Sequence, residues 1–468
     1  MSGKKGTVHA MRIFSAITAA VLLTSCAQVI TGSPSVGEVS LTSVSNGMRD
    51  DAPAPTITVE NTDNSPIDVL AATALEDVMD FWNQTPLPRG MGMLEDPKTY
   101  YSYDSKSRED AKTVCGQFTF RMVNAAYCKR AQAMMWDRGE MLPMLKRIGG
   151  DMAIAFVMAH ETGHHVQTLM DPNDITPTLV AESQADCYAG AYLGWVSEGN
   201  SRRFRMSGDG AGQVLRVVSL AGDSPHVIGE AAPNHGSSVE RVWAMQRGLM
   251  RGVDSCAAIT ARTIGTNRAG VPLALSKAEA ESGGNAEFTE DFVQLITDSV
   301  NAIIPTDRPV QVGDNDCRAY DRPFGWCGSE VMVYAPPRYL SSHINDMQSG
   351  DVVGRIGDGT VIGGLINTLA QHWIESQGVQ TRGVQAGYRS ACVVGAVTRV
   401  MADQGNPRNK VQFSAGDADE VLTDLLYDGF TAMDADGTVA SGIFERSNAF
   451  VNGLFNATGP RDCLLTYP

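Results

Sequence analysis

The chain has 468 residues, of which 43% are hydrophobic and 19% charged, and its formal net charge is −16. That balance belongs to a globular protein long enough for two domains and excludes a disordered chain. A surface this acidic repels phosphate backbones, so no nucleic-acid partner is expected.

At the N-terminus, Lys4, Lys5 and Arg12 precede the apolar run IFSAITAAVLL, which closes on Leu23-Thr24-Ser25-Cys26. A basic start, a short apolar core and small residues predict a secretory signal over residues 1–25, too short for a permanent bilayer span. The closing Leu-Thr-Ser-Cys resembles a bacterial lipobox, which implies lipidation of Cys26 and membrane anchoring in the cell envelope. An ordinary signal peptide is the alternative, and Met11 opens an equally compact signal. Residues 26–66 are rich in Ser, Thr, Pro, Asn and Asp, a composition that predicts a flexible tether. Ordered structure is expected to begin with a helix on which Leu70, Leu75, Val78, Phe81 and Trp82 share one face. Of nine cysteines, setting aside Cys26 leaves an even number, which in an exported chain reads as disulfides.

Residues 157–170, VMAHETGHHVQTLM, hold three of the eight histidines. Their apolar pattern is helical and lacks proline. On a helix His160 and His164 lie on one face and reach a single ion, with Glu161 placed to take a proton from water bound there. Gly163 is expected where another backbone comes close. His165 points about 100° from His164 and is not expected to ligate. A third ligand is available in AESQADCYAGAY, where Glu182 would bind the ion. Asp186, four residues on, would accept a hydrogen bond from the free ring nitrogen of a ligating histidine. In NHGSSVER, His235 is a candidate for stabilising an oxyanion, with a structural role equally open. The strand around AQAMMWD is expected to offer its edge to an extended peptide. The alternative is a core helix whose histidines are merely hydrogen-bonded.

The second half repeats the landmarks of the first. ADCYAGAYLGWV, SGDGAGQVL and SSVERVWAMQRGLMRGVDSC find counterparts in SACVVGAVTRVM, SAGDADEVL and GIFERSNAFVNGLFNATGPRDC. Cysteine gaps of 13, 59 and 69 residues are matched by 10, 65 and 71. Duplication is expected, with each copy closing its own disulfides: Cys115–Cys128, Cys187–Cys256, Cys317–Cys327 and Cys392–Cys463. The later helix, INTLAQHWIESQGV, has lost the ligands, since His372 is followed by Trp373 with Ser376 four residues on. GYRSAC stands where the first copy has ESQADC. Residues 263–287 then read as a linker and 288–468 as a metal-less copy. That copy is expected either to pack on the first as an intramolecular pseudo-dimer or to bind a separate partner.

Residues of about 70–256 resemble the bacterial neutral zinc metallopeptidases of the gluzincin group. The matching stretches are DFWNQ, VCG, AAYC, HETGHHVQ, ESQADCYAG, HGSSVER and Cys256, over roughly 40% of the chain. The resemblance implies an α+β, zincin-like domain over residues 67–262, with an HExxH active-site helix and a small sheet. It also implies one Zn2+ held by His160, His164 and Glu182, with Glu161 as general base in hydrolysing peptide or protein substrates. Asp186 would support a ligand, and HGSSVER would stand as a late His-to-Arg motif. The stretch KRAQAMMWDRG departs from the family pattern, which leaves substrate preference open. The rival reading is a non-catalytic surface lipoprotein with two metallopeptidase-like binding domains.

Overall fold

The computed structural model describes residues 9–10, 46–173, 175–306, 311–313, 325–326, 332–335, 337–407 and 409–467. Most of the signal segment, Cys26, Cys317 and Cys327 lie outside them. The chain is a mostly helical α+β protein with small sheets. It divides into two compact units, one of residues 1–222, 234–236 and 240–264, the other of residues 223–233, 237–239 and 265–468.

In the first unit, Ser65 is extended and Pro66 takes the first helical position, where its missing N–H costs nothing, so α1 (Pro66–Trp82) begins there. Its Leu70, Leu75, Val78, Phe81 and Trp82 are buried. Phe81 meets Tyr192 and Trp195, and Trp82 meets Tyr188, in edge-to-face contacts. Beside this core Thr99–Tyr103 pairs in parallel with both Val59–Glu60 and Ala133–Asp137. Ala133–Asp137 also pairs antiparallel with Ala125–Cys128, whose other side carries His9–Ala10.

Two expectations are corrected here. Ala133–Asp137 is an interior strand, hydrogen-bonded on both sides and buried at all five residues, so it offers no edge. Its apolar composition reflects that double burial. The residues from 46 to 66, expected within the tether, are bound to this unit. Gly47–Met48 pairs with Phe204–Arg205, Val59–Glu60 joins the main sheet, and Asn46 Oδ1 accepts from the Ser207 N–H (2.7 Å) and hydroxyl (2.9 Å). Such pairing uses backbone groups and one amide, which a polar composition does not forbid.

Helix α2 (Met141–Met170) is interrupted at Gly150, whose φ of 69° and ψ of −165° divide it in two. Its C-terminal part packs on α3 (Thr178–Ser197), and Gly163 permits the approach, because a Cβ there would lie 2.9 Å from Ala185 Cα. Next come α4 (Gly208–Leu220), α5 (Ser238–Arg251) and α6 (Val253–Ala257). Two short helices, α7 (Ala261–Arg268) and α8 (Lys277–Glu281), occupy part of the stretch expected as a linker.

The second unit is built from α9 (Glu290–Ile303), α10 (Pro337–Ser349), α11 (Asp358–Ser376), α12 (Val384–Ala402), α13 (Asp417–Leu426), α14 (Ile443–Phe455) and α15 (Pro460–Thr466). In a small sheet Met332–Tyr334 runs parallel to Gln311–Gly313 and antiparallel to Gly325–Trp326.

Disulfides join Cys115 to Cys128 and Cys187 to Cys256 in the first unit, and Cys392 to Cys463 in the second. Such bonds persist in oxidising compartments and place the protein outside the cytoplasm. Among the described residues no helix is long and apolar enough to cross a membrane. Beside the last two disulfides the packing follows one pattern. A Cβ on Gly248 would overlap Cys187 O and one on Gly190 would overlap Met245 O. In the second unit a Cβ on Gly453 would overlap Cys392 O and one on Gly395 would overlap Phe450 O. Every residue in the first set stands 205 positions before its counterpart. Glycine thus lets α3 meet α5, and α12 meet α14, backbone to backbone.

Candidate metal centre

Ionisable side chains gather at one place between α2 and α3. Residues 152–159 are buried Met, Ala, Ile, Phe and Val, and they carry His160, Glu161 and His164 into the interior with them. From α3, Glu182 and Asp186 point at the same spot, one helical turn apart. His160, Glu161, His164, Glu182 and Asp186 are all 2% exposed or less. Burying this many ionisable groups is costly without compensation.

The geometry indicates what compensates. His160 Nε2 lies 3.3 Å from Glu182 Oε2, and His164 Nε2 lies 3.7 Å from Glu182 Oε1. Donor atoms bound at about 2.0–2.2 Å to one tetrahedral ion stand roughly 3.3–3.6 Å apart, so the spacing fits a shared ion. His160 Nε2 is buried and makes no hydrogen bond, as a nitrogen aimed at a metal would be. The donor atoms of His160, His164 and Glu182 all lie within 4.8 Å of one another, which makes the group a candidate metal site.

Around the donors runs a layer that fixes them. His160 Nδ1 is 2.8 Å from Asp186 Oδ1, and Arg241 grips Asp186 with Nε to Oδ2 at 2.9 Å and Nη2 to Oδ1 at 2.8 Å. Arg241 Nη1 donates to Ala221 O at 3.0 Å, so the guanidinium is itself held in place. His164 Nδ1 is 2.9 Å from Gln167 Oε1, while the Gln167 amide donates to Ala181 O at 2.6 Å. Imidazoles held this way turn their Nε2 atoms toward the Glu182 carboxylate.

The electrostatics follow. Burial alone would lower the pKa of His160, but the charge and hydrogen bond of Asp186, joined by Glu182, hold it up at about 10. Burial opposes ionisation of Glu182, yet the charges of His164, His160 and Arg241 keep its carboxyl well below the usual carboxylate range. Asp186 is likewise lowered, by Arg241 and then His160, against its burial. Without an ion, a proton on His160 takes the place of the positive charge.

Glu161 is different in kind. Burial pushes it up to about 8. Its Oε2 accepts the Tyr127 N–H at 2.7 Å, from the strand Ala125–Cys128, while its Oε1 is buried and makes no hydrogen bond. One oxygen is anchored and the other is unengaged. His165 is accounted for elsewhere, with Nδ1 2.9 Å from Tyr127 Oη and Nε2 2.6 Å from Glu95 O. His235 lies half-buried on the loop just before α5. His164 also lines a small pocket together with Lys129, Gln167, Thr168, Asp171, Thr176 and Ala181.

Two participants were not read from the sequence, and the role of a third was not. Gln167, three residues after His164, carried a usable signal in its helical spacing. Arg241 stood in the HGSSVER motif, but its clamp on Asp186 was not read there, and the Tyr127 backbone carried no signal, because their reach to the site is set by tertiary packing. No family model, no curated protein and no solved structure matches this chain.

Proposed function

We propose that the first unit is a zinc metallopeptidase domain of an exported protein lipid-anchored through Cys26, and that residues 288–468 are a degenerate, metal-less copy of it. The observation that carries this reading is the His160–His164–Glu182 group with Glu161 beside it, one carboxylate oxygen anchored and the other unengaged. Two imidazoles and one carboxylate are the protein ligands of a catalytic zinc, leaving a position open, whereas structural sites are closed by a fourth protein ligand. The matched glycine contacts beside Cys187–Cys256 and Cys392–Cys463 support the duplication.

When bound, zinc supplies the Lewis acidity that acidifies water and polarises a carbonyl. The chain's own groups do the rest. Tyr127 N–H fixes Glu161 Oε2, so that Oε1 takes the proton of the attacking water and delivers it to the leaving amine. Asp186, clamped by Arg241, holds the His160 ring with Nδ1 toward the carboxylate and Nε2 toward the ion. His235 is assigned the stabilisation of the developing oxyanion. Removal of residues 1–25 would take His9–Ala10 off the outer edge of Ala125–Cys128, and an extended peptide substrate would pair there in its place.

Glu161→Gln tests the reading. It preserves the size of the side chain and the ligands, so the variant is expected to keep its zinc and to lose peptide hydrolysis by at least about 100-fold. Undiminished hydrolysis in that variant overturns the assignment. The burial of His160, Glu161, His164, Glu182 and Asp186 to 2% or less favours a second reading, a structural metal in a protein-binding lipoprotein. In that case zinc-loaded wild type cleaves no peptide, and removing zinc lowers the melting temperature and abolishes partner binding.

A further inference from the structure

The second unit buries three carboxylates at one point. Asp358 opens α11, Asp417 opens α13 and Glu420 stands one turn further along α13. Each is 3% exposed, and oxygen atoms from all three lie within 4.8 Å of one another. Hydrogen bonds hold them in place. Asp417 accepts the Ser414 N–H at 2.7 Å on Oδ2 and the Ser414 hydroxyl at 2.5 Å on Oδ1. Glu420 Oε2 accepts the Gly359 N–H at 2.9 Å, and Asp358 Oδ2 accepts the Ala286 N–H at 2.8 Å. Asp358 Oδ1 is buried and has no hydrogen-bond partner.

The charge does not close. Three carboxylates this close, out of water, repel one another strongly. The N-termini of two helices soften the repulsion but leave Asp358 Oδ1 unmatched. Arg355, the cation that acts on Glu420, has its Nε 3.9 Å from Asp419 Oδ2 and is partly exposed. Burial pushes Asp358 up to about 6, while burial and the charges of their neighbours raise Asp417 and Glu420 well above the ordinary carboxylate range. The corresponding stretch of the first unit, SGDGAGQVL, has Gly210 and Gln213 where SAGDADEVL has Asp417 and Glu420. The cluster therefore belongs to the second unit alone.

We propose that Asp358, Asp417 and Glu420 form a site for a hard divalent cation of the calcium class. The donors are all oxygen, with no imidazole or thiolate to favour zinc. Calcium takes six to eight oxygens, which three carboxylates meet in part and water or backbone carbonyls complete. The ion supplies the positive charge that the cluster lacks and gives Asp358 Oδ1 its partner. This site is independent of the His-His-Glu group and of the peptidase reading.

Calcium and magnesium titrations of the zinc-loaded full chain, stripped of other divalent ions, test the proposal by calorimetry and thermal unfolding. One calcium per chain is expected, with a melting temperature about 4 °C higher at a hundredfold excess over the dissociation constant. Binding and shift are expected to vanish in Asp417→Asn/Glu420→Gln. Should that variant not fold, Asp358→Asn leaves the bonds to Ser414 and Gly359 intact and is expected to weaken calcium at least about tenfold. A wild type that calcium neither binds nor stabilises overturns the proposal and leaves the cluster to protons. A shift of the same size in the folded variants also overturns it, because the calcium then sits elsewhere.

Discussion

In the first unit α2 and α3 bury His160, His164, Glu182 and Asp186 against each other; in the second, α11 and α12 bury Asn367, Gln371 and Ser390. Asn367 and Gln371 have the same four-residue spacing as His160 and His164. All three neutral groups donate to one backbone oxygen, Met433 O, at 3.1, 2.6 and 3.0 Å respectively. A carbonyl satisfies amide and hydroxyl donors and leaves no charge to balance. The His-His-Glu group satisfies itself only with a proton or an ion between its members. Two helix pairs with like glycine contacts thus support different chemistry, because packing is set by small residues and the site by a handful of inward polar ones.

That comparison is sharpened most by the disulfides. Replacing Cys187 and Cys256 by alanine, or Cys392 and Cys463, is expected to cost about 2–5 kcal/mol in each case. The loops closed are nearly equal, at 69 and 71 residues, so denaturant unfolding that follows each unit should give similar losses. Next come the paired glycines. Gly248→Ala and Gly453→Ala each force a methyl into a cysteine carbonyl and are expected to destabilise their units by roughly 1–3 kcal/mol. A large loss in one unit and none in the other, read from the same melts, would break the parallel.

Asp186→Asn probes what only the first unit has. Losing the carboxylate that orients His160 is expected to weaken metal binding by about 10–100-fold, without unfolding the chain. In the wild type the ion must displace the proton that Asp186 and Glu182 hold on His160, whose pKa is raised to about 10. Apparent affinity therefore falls as pH falls, by about tenfold per unit below that value. Calorimetry in two buffers of different ionisation enthalpy should show one proton released per ion bound. The smallest effect belongs to the second unit. Gln371→Leu leaves Met433 O bonded to Asn367 and Ser390, and should cost only about 1 kcal/mol with no change in metal content.

The parts legible in the sequence were those written in local spacing. His160, His164, Glu182 and Asp186 are paired at i and i+4 on two helices, and the close approach at Gly163 was readable from a lone glycine in an apolar helix. What escaped was assembled from distant segments. Arg241 reaches Asp186 across 55 positions, and Glu161 is anchored by a strand 34 residues before it. The segment from 46 to 66 looked like a tether because its side chains are polar, yet its backbone completes two sheets. Ala133–Asp137 looked like an edge, yet it is hydrogen-bonded on both sides. The acidic cluster joins residues some 60 positions apart, and each acid alone reads as a solvated helix start.

The most direct test of the central claim is metal content per chain, measured on purified wild type beside His164→Ala. The account predicts one zinc in the wild type and its loss in the variant. A folded wild type that holds no metal without ever meeting a chelator, or a variant that keeps its zinc, would contradict it.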